Sequence, residues 1–165
     1  MKNKIAYVIA TFFGTGLAPF APGTSGSFFT LPLAALIAYF FGFYGLLFAA
    51  IVISIVGWWA TDNVVKRYKI EDPKWVVIDE TAGQTISFLA VAPYLYQSFD
   101  FWYLYFIGFG FFRLFDIKKM GPVKWADGKL NNALGVMLDD IFAGMFAAIC
   151  LRITFELILK YFLAV

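Results

Sequence analysis

Residues 28–60 carry no charge, and this run is longer than the ~20 apolar residues needed to cross a bilayer once. Gly42 and Gly45 flank Phe43-Tyr44 near its middle, so the pattern predicts a tight helical hairpin. A polar segment, 61–74, follows with Lys66, Arg67, Lys69 and Lys74. The next apolar run, 85–99, is short, but a helix starting near Asp79 lengthens it enough to cross. Asp100 interrupts, and 101–115 returns as an aromatic-rich run before a second basic segment with Lys118, Lys119, Lys124 and Lys129. The last run, 141–165, has Arg152, Glu156 and Lys160 to accommodate, and spanning and partly interfacial placements are both open. Glu156 is expected to pair with Arg152 or Lys160, each four residues away on one helical face. The expected fold is all-α: a polytopic helical membrane protein with about four to five membrane-embedded helices behind a Gly/Pro-rich N-terminal loop. It is read as a single domain, 1–165.

Composition agrees, with 62% hydrophobic and 15% charged residues against roughly 25% charged in an ordinary soluble domain. A net charge of +2 is too small to make nucleic acid a partner. The single cysteine, Cys150, excludes a disulfide framework or zinc cluster within one chain. There is no histidine, which removes the usual zinc ligand and the commonest general base together. Lys2 and Lys4 ahead of an apolar start superficially resemble a signal peptide. The Gly/Pro-rich stretch from Phe12 carries its own motif, so this region is read as mature protein.

Lys and Arg fall almost entirely in the N-terminal tail and in 61–78 and 113–131, whereas the connections near 42–45 and 97–100 carry none. The positive-inside rule makes the three basic regions cytoplasmic. The chain is thus expected in the bacterial cytoplasmic (inner) membrane as a multi-pass protein, with its site facing the cytoplasm. Nothing in the sequence signals an oligomeric state.

Charge then changes the picture. Of eleven acidic residues, six lie beside apolar runs: Asp79-Glu80, Asp116 with Asp127, and Asp139-Asp140. An unpaired carboxylate in hydrocarbon costs about 2.5–3.5 kcal/mol on the lenient insertion scale, so a cation is expected to offset it. The topology brings all three groups to one membrane face. Adjacent acids at two helix starts plus Asp116 supply enough oxygen ligands for Mg²⁺. For Asp79 the plainer role is a helix N-cap, and for Arg113-Asp116 a simple salt bridge. In the functional version Asp116 is on the metal and Arg113, with Lys119, on a phosphate group.

The stretch 14–27, GTGLAPFAPGTSGS, places Gly14, Gly16, Gly23 and Gly26 among Pro19 and Pro22. Thr24 or Ser27 can cap the following helix, and its free N–H groups make an anion site. A re-entrant turn explains the stretch equally well. No Gly-Lys-Ser/Thr occurs, which excludes a nucleotide-binding P-loop. Cys-x5-Arg and Asp-x-Asp are absent and histidine is missing, so thiol, aspartyl-phosphate and phosphohistidine chemistry drop out. Metal-assisted hydrolysis remains.

Taken in order, GTG…P.APGT.GS, then DE..G at Asp79-Glu80 and Gly83, then FR.FD..K from Phe112, then G.M.DD..AG from Gly135, the motifs resemble bacterial phosphatidylglycerophosphatase A from Phe13 to about Gly144. The resemblance implies an integral membrane, Mg²⁺-dependent enzyme that converts phosphatidylglycerophosphate to phosphatidylglycerol and phosphate. It implies Asp79, Glu80, Asp116, Asp139 and Asp140 as catalytic metal ligands. Gly23, Thr24, Ser27, Arg113 and Lys119 become the phosphate-binding set, and Asp127 matches a further aspartate. Two departures stand out: Met120-Gly121-Pro122 in place of Pro-x-Pro after Lys119, and Asn131-Asn132-Ala133 in place of His-Gly-Gly.

In this reading Mg²⁺ polarises the phosphoryl oxygens and lowers the pKa of an attacking water. A ligand-only role for the acids and one with Asp79 or Asp139 as base are both open. The rival class is a non-enzymatic cation carrier or assembly subunit, which would place its acids mid-span.

Overall fold

The computed structural model describes residues 2–70, 72–96, 100–119, 121–123 and 132–163, which form helices and turns without a strand. Asp127, with Glu71, Lys124 and Lys129, lies outside the described residues. Helix α1 (Lys2–Ala10) ends in a tight turn where Phe12, Phe13 and Gly14 take φ of 43°, 54° and 94°. Left-handed backbone costs a non-glycine residue roughly 1–2 kcal/mol. Thr11 offsets part of that cost: its hydroxyl donates to the Val8 carbonyl and accepts from the Gly14 N–H. The Val77 N–H donates to the Ala10 carbonyl at 2.9 Å, tying this loop to the chain ahead of Asp79.

Helix α2 (Pro22–Tyr68) is broken at Gly42, whose φ 59°, ψ −148° no L-residue adopts comfortably. A straight helix would hold Gly26 and Gly57 ~46 Å apart. Instead a Cβ on Gly26 would lie 2.7 Å from the Val77 Cβ, and one on Gly57 would lie 3.1 Å from Ile78 Cγ1. Positions 16 residues before and 15 after Gly42 therefore meet consecutive residues, and the two arms are antiparallel. This is the hairpin the charge-free run predicts. Small residues along the inner face, Ala34, Ala38, Ala50 and Ala60, are buried and let the other helices approach.

The 79–99 run departs from expectation. Helix α3 (Ile78–Ser87) stops after ten residues, and α4 (Ala92–Leu95) is a single turn. The Ser87 hydroxyl donates to the Gln84 carbonyl at 2.6 Å, and Phe88 N–H bonds Thr85 O, so local bonds replace the helical ladder. Pro93 has no N–H to bond the Leu89 carbonyl and its ring would clash there, so one continuous helix is prevented, and Pro93 stands instead in the first turn of α4. The broken segment still travels the length of the molecule: Tyr96 sits against Gly42 at the hairpin tip. Helix α5 (Tyr103–Lys118) returns, and α6 (Ala133–Ile158) runs outward again into a π-helical turn (Leu159–Leu163).

Among the described residues, two helices are long and apolar enough to cross a membrane, Pro22–Tyr68 and Ala133–Tyr161, fewer than the four to five expected. The shortfall has a plain cause: α3 and α4 are too short singly, and α5 has 16 residues where ~20 are needed. Only 22% and 28% of the two apolar windows are buried inside the molecule. Phe40, Phe41, Phe48, Ile51 and Ile55 all face outward, an apolar exterior far beyond the patches a water-soluble monomer carries. The interior is correspondingly aromatic at the hairpin end, where Phe155 packs edge-on to Tyr94 and Phe101 at 4.5 and 5.3 Å. The expected Arg152–Glu156 ion pair is present on α6, and the guanidinium also lies over the Tyr94 ring.

Candidate active site

At the end opposite the hairpin tip, α3 begins without a side-chain cap, and Asp79 and Glu80 fall in its first turn. Asp79 does not cap: its Oδ1 accepts the N–H of Glu80 at 3.0 Å and the residue before the helix is Val77. Asp139 repeats this with the N–H of Asp140, also at 3.0 Å. The expectation that Asp139-Asp140 open the last helix is corrected. Asn132 starts α6 earlier by accepting the N–H groups of Leu134 and Gly135 at 2.9 and 3.2 Å. The two acids therefore sit in the second turn, where they are held by helix on both sides.

What brings the pairs together is a backbone contact. A Cβ on Gly83 would lie 2.3 Å from the Asp140 carbonyl oxygen, and one on Gly144 would lie 2.2 Å from the Gly83 carbonyl oxygen. Each glycine is four residues beyond an acid, one helical turn, so the crossing sets Asp79-Glu80 against Asp139-Asp140. One oxygen each of Asp79, Glu80 and Asp140 lies within 4.8 Å of the others. At an effective dielectric of 20 such spacing costs at least about 3.5 kcal/mol per charged pair. Glu80 Oε2 and Asp140 Oδ1 are buried and have no hydrogen-bond partner among the described residues.

The other two expected carboxylates are differently engaged. Asp116 is 2.5 Å from the Arg113 guanidinium, and Asp139 accepts the Lys119 ammonium at 3.0 Å. Lys119 ends α5 in a left-handed conformation, φ 42°, which turns its side chain back toward α6. The Arg113–Asp116 salt bridge and the placement of both residues at the site are thus compatible.

These groups line one cavity of about 410 Å³. Of the expected site residues, Gly23, Thr24, Asp79, Glu80, Arg113, Asp116, Lys119, Asp139 and Asp140 line it. Helix α2 starts at Pro22 behind Ala21, so neither Thr24 nor Ser27 caps it. The first-turn N–H groups of Gly23 and Thr24 have no intrahelical acceptor and belong to the cavity wall. Gly23 lets Glu80 approach closely: a Cβ here would fall 2.0 Å from Glu80 Oε1 and displace that carboxylate. Ser27 is fully buried behind the wall, donating to the Gly23 carbonyl at 2.9 Å and accepting from Arg113 at 3.4 Å. It orients the arginine and does not line the cavity. Asp127 lies outside the described residues.

Sequence reasoning missed Asp72, Lys74 and Asn132, which also line the cavity. Asp72-Pro73-Lys74 stands directly ahead of the Asp79 motif, and that proximity was the available signal. With them, the described lining residues carry six carboxylates against three cations. Among the described residues that line the cavity, Thr24 is the only one with a hydroxyl, and none carries a thiol or imidazole.

Residues 8–155 match the phosphatidylglycerophosphatase A family. A Bacteroides thetaiotaomicron protein with the provisional name phosphatidylinositol-3-phosphatase is 37% identical over 88% of this chain and 91% of its own length. The proteins named phosphatidylglycerophosphatase A from Escherichia coli K12 and Haemophilus influenzae are 30% and 31% identical. Those matches cover 86% and 87% of this chain, and 78% and 84% of the relatives. No solved structure matches the chain. The carboxylates gather around one cavity, and the match extends over nearly the whole sequence. This chain belongs to the phosphatidylglycerophosphatase A family of membrane phosphatases.

Proposed function

We propose that the chain removes the terminal phosphate of phosphatidylglycerophosphate, giving phosphatidylglycerol, and that it does so with Mg²⁺. The observation that carries the metal is the charge balance of the cavity. A phosphomonoester brings further negative charge to a wall whose described residues carry six carboxylates and three cations, which favours a compensating cation. Asp79, Glu80 and Asp140 fit that cation, because one oxygen of each already converges, and Glu80 Oε2 and Asp140 Oδ1 are buried without a hydrogen-bond partner among the described residues. Such hard oxygen ligands suit Mg²⁺, which takes one or two carboxylates and keeps waters. When bound, Mg²⁺ supplies charge stabilisation at the phosphoryl oxygens and acidifies water.

The protein's own groups do the rest. The N–H groups of Gly23 and Thr24 and the Arg113 guanidinium hold phosphate oxygens, with Ser27 fixing the arginine. Lys119 holds Asp139 in place. The lining has no cysteine or histidine nucleophile, so water attacks phosphorus and a carboxylate takes its proton.

A second reading rests on the Bacteroides relative, whose name gives phosphatidylinositol 3-phosphate as substrate. Both lipids present a phosphomonoester on a head group joined to diacylglycerol through a phosphodiester. Phosphate release from purified protein, given each lipid in turn with and without Mg²⁺, decides between them. Phosphatidylglycerophosphate is expected to turn over faster, and excess EDTA to abolish release until Mg²⁺ is restored. Full turnover in EDTA would remove the metal from the mechanism.

For the membrane, five crossings are proposed: the two arms of α2, the broken α3–α4 segment, α5 and α6. The basic stretches at Lys66–Lys69 and Lys118-Lys119 then lie on the cavity side, and the positive-inside rule makes that side cytoplasmic in the inner membrane. In a Cys150→Ser background, single cysteines at Lys69 and Lys118 should resist labelling from outside intact cells, and one at Tyr44 should label. Labelling of Lys69 or Lys118 would overturn the orientation.

A further inference from the structure

A second cavity, of about 300 Å³, lies between α1 and the end of α2 and shares no residue with the catalytic one. Lys4, Tyr7, Val8, Arg67 and Tyr68 line it. Two cations and two phenols face it, with no carboxylate among the lining residues. The neighbouring Lys66 is already neutralised by Asp62 at 2.7 Å, whereas no ion pair engages Lys4 or Arg67 among the described residues. The guanidinium of Arg67 lies 5.6 Å from the Tyr68 ring centre, and Tyr7 packs 6.2 Å from the same ring. This is a concave, positively charged, aromatic-walled pocket.

Its surroundings identify the occupant. Val8 in the lining and Ile5 and Phe13 nearby are exposed apolar residues, so one side of the pocket opens onto surface that water does not suit. Tyrosine and tryptophan favour the membrane–water interface, and Tyr7, Tyr68 and Trp75 are grouped here. A soluble phosphate has no use for the apolar rim, but a lipid whose acyl chains pass over Val8 and Ile5 does. We propose that Lys4, Arg67, Tyr7 and Tyr68 form a non-catalytic site for the phosphodiester head group of an anionic phospholipid. The site adjoins the catalytic wall: Trp75 stands edge-on to Tyr68 at 5.8 Å, and its neighbours Lys74 and Val76 line the catalytic cavity. A head group seated against Tyr68 braces that wall.

Native mass spectrometry of the full chain in neutral detergent, titrated with phosphatidylglycerol or phosphatidylcholine, tests this. The wild type is expected to retain phosphatidylglycerol preferentially. Lys4→Ala/Arg67→Ala should weaken that retention by roughly 30-fold, about fivefold per cation. Lys4→Arg/Arg67→Lys should keep it. Tyr7→Phe/Tyr68→Phe, a milder pair that preserves packing, should weaken it a few-fold if the alanine pair does not fold. Equal retention of the two lipids, or undiminished phosphatidylglycerol binding in both the alanine and phenylalanine pairs, would overturn the site. Displacement of the lipid by millimolar glycerol 3-phosphate would make it a soluble-phosphate site and overturn the lipid assignment.

Discussion

Asp79→Asn and Asp140→Asn, made singly, are each expected to lower phosphate release by roughly 10²–10⁴-fold while the protein still inserts and purifies normally. Asparagine keeps the size of aspartate and can hydrogen-bond, but it is neutral and a poorer Mg²⁺ ligand. Both residues contribute to the convergent oxygen cluster, and both are almost completely buried, so no alternative group can move in. Removing one charge relieves repulsion among the remaining carboxylates, so folding stability should hold or rise as activity falls. That opposite movement separates a functional cluster from a structural one. Asp62→Asn, on an exposed pair with Lys66, and Asp100→Asn, away from the cavity, should leave turnover within a few-fold. Phosphate release measured on equal amounts of purified variant decides the matter. Near-normal rates for Asp79→Asn and Asp140→Asn would remove the carboxylate–metal site.

Much of this arrangement was legible in the sequence because the relevant costs are large. A charge-free run too long for one crossing, with Gly42 at its centre, has few folds open to it other than a hairpin. Carboxylates beside apolar runs need partners, which pointed to Asp79-Glu80, Asp116 and Asp139-Asp140 before any geometry was known. Smaller energies were harder to read. The break after Ser87 depends on a hydroxyl-to-carbonyl bond and on Pro93 inside a uniformly apolar stretch, where periodicity distinguishes nothing. Asn132 was read as a departure from a family motif, but its side chain sets the start of α6 and the turn in which Asp139 and Asp140 lie.

The division of labour among the acids was also hidden. Asp116 and Asp139 are paired with Arg113 and Lys119, whereas Asp79, Glu80 and Asp140 converge, and only distances across three helices separate the two sets. Ser27 illustrates the same limit. Its position in a Gly-rich loop suggested phosphate contact, but three residues beyond Thr24 it faces inward and holds Arg113 instead.

The convergence itself hangs on two glycines, which leads to the second large effect. Gly144→Ala and Gly83→Ala each place a methyl group 2.2–2.3 Å from a carbonyl oxygen of the opposing helix. Backbone cannot swing aside as a flexible side chain does, so α3 and α6 must separate or slide. Gly83 has less room still, because the Phe112 ring on α5 is 2.6 Å from the same point. Overpacking of this kind costs about 1–3 kcal/mol, a loss that many proteins survive. The catalytic consequence is larger. A displacement near 1 Å at this crossing moves Asp140 relative to Asp79 and Glu80, and misplacement on that scale costs on the order of 10²-fold in rate. Gly110→Ala on α5, where nothing lies within 4 Å of the new Cβ, is the matched control and should be neutral. Helical content by circular dichroism should be unchanged in all three, with thermal midpoints lowered only for Gly83→Ala and Gly144→Ala. Wild-type rates in both of those variants would mean that the α3–α6 contact does not set the carboxylate spacing.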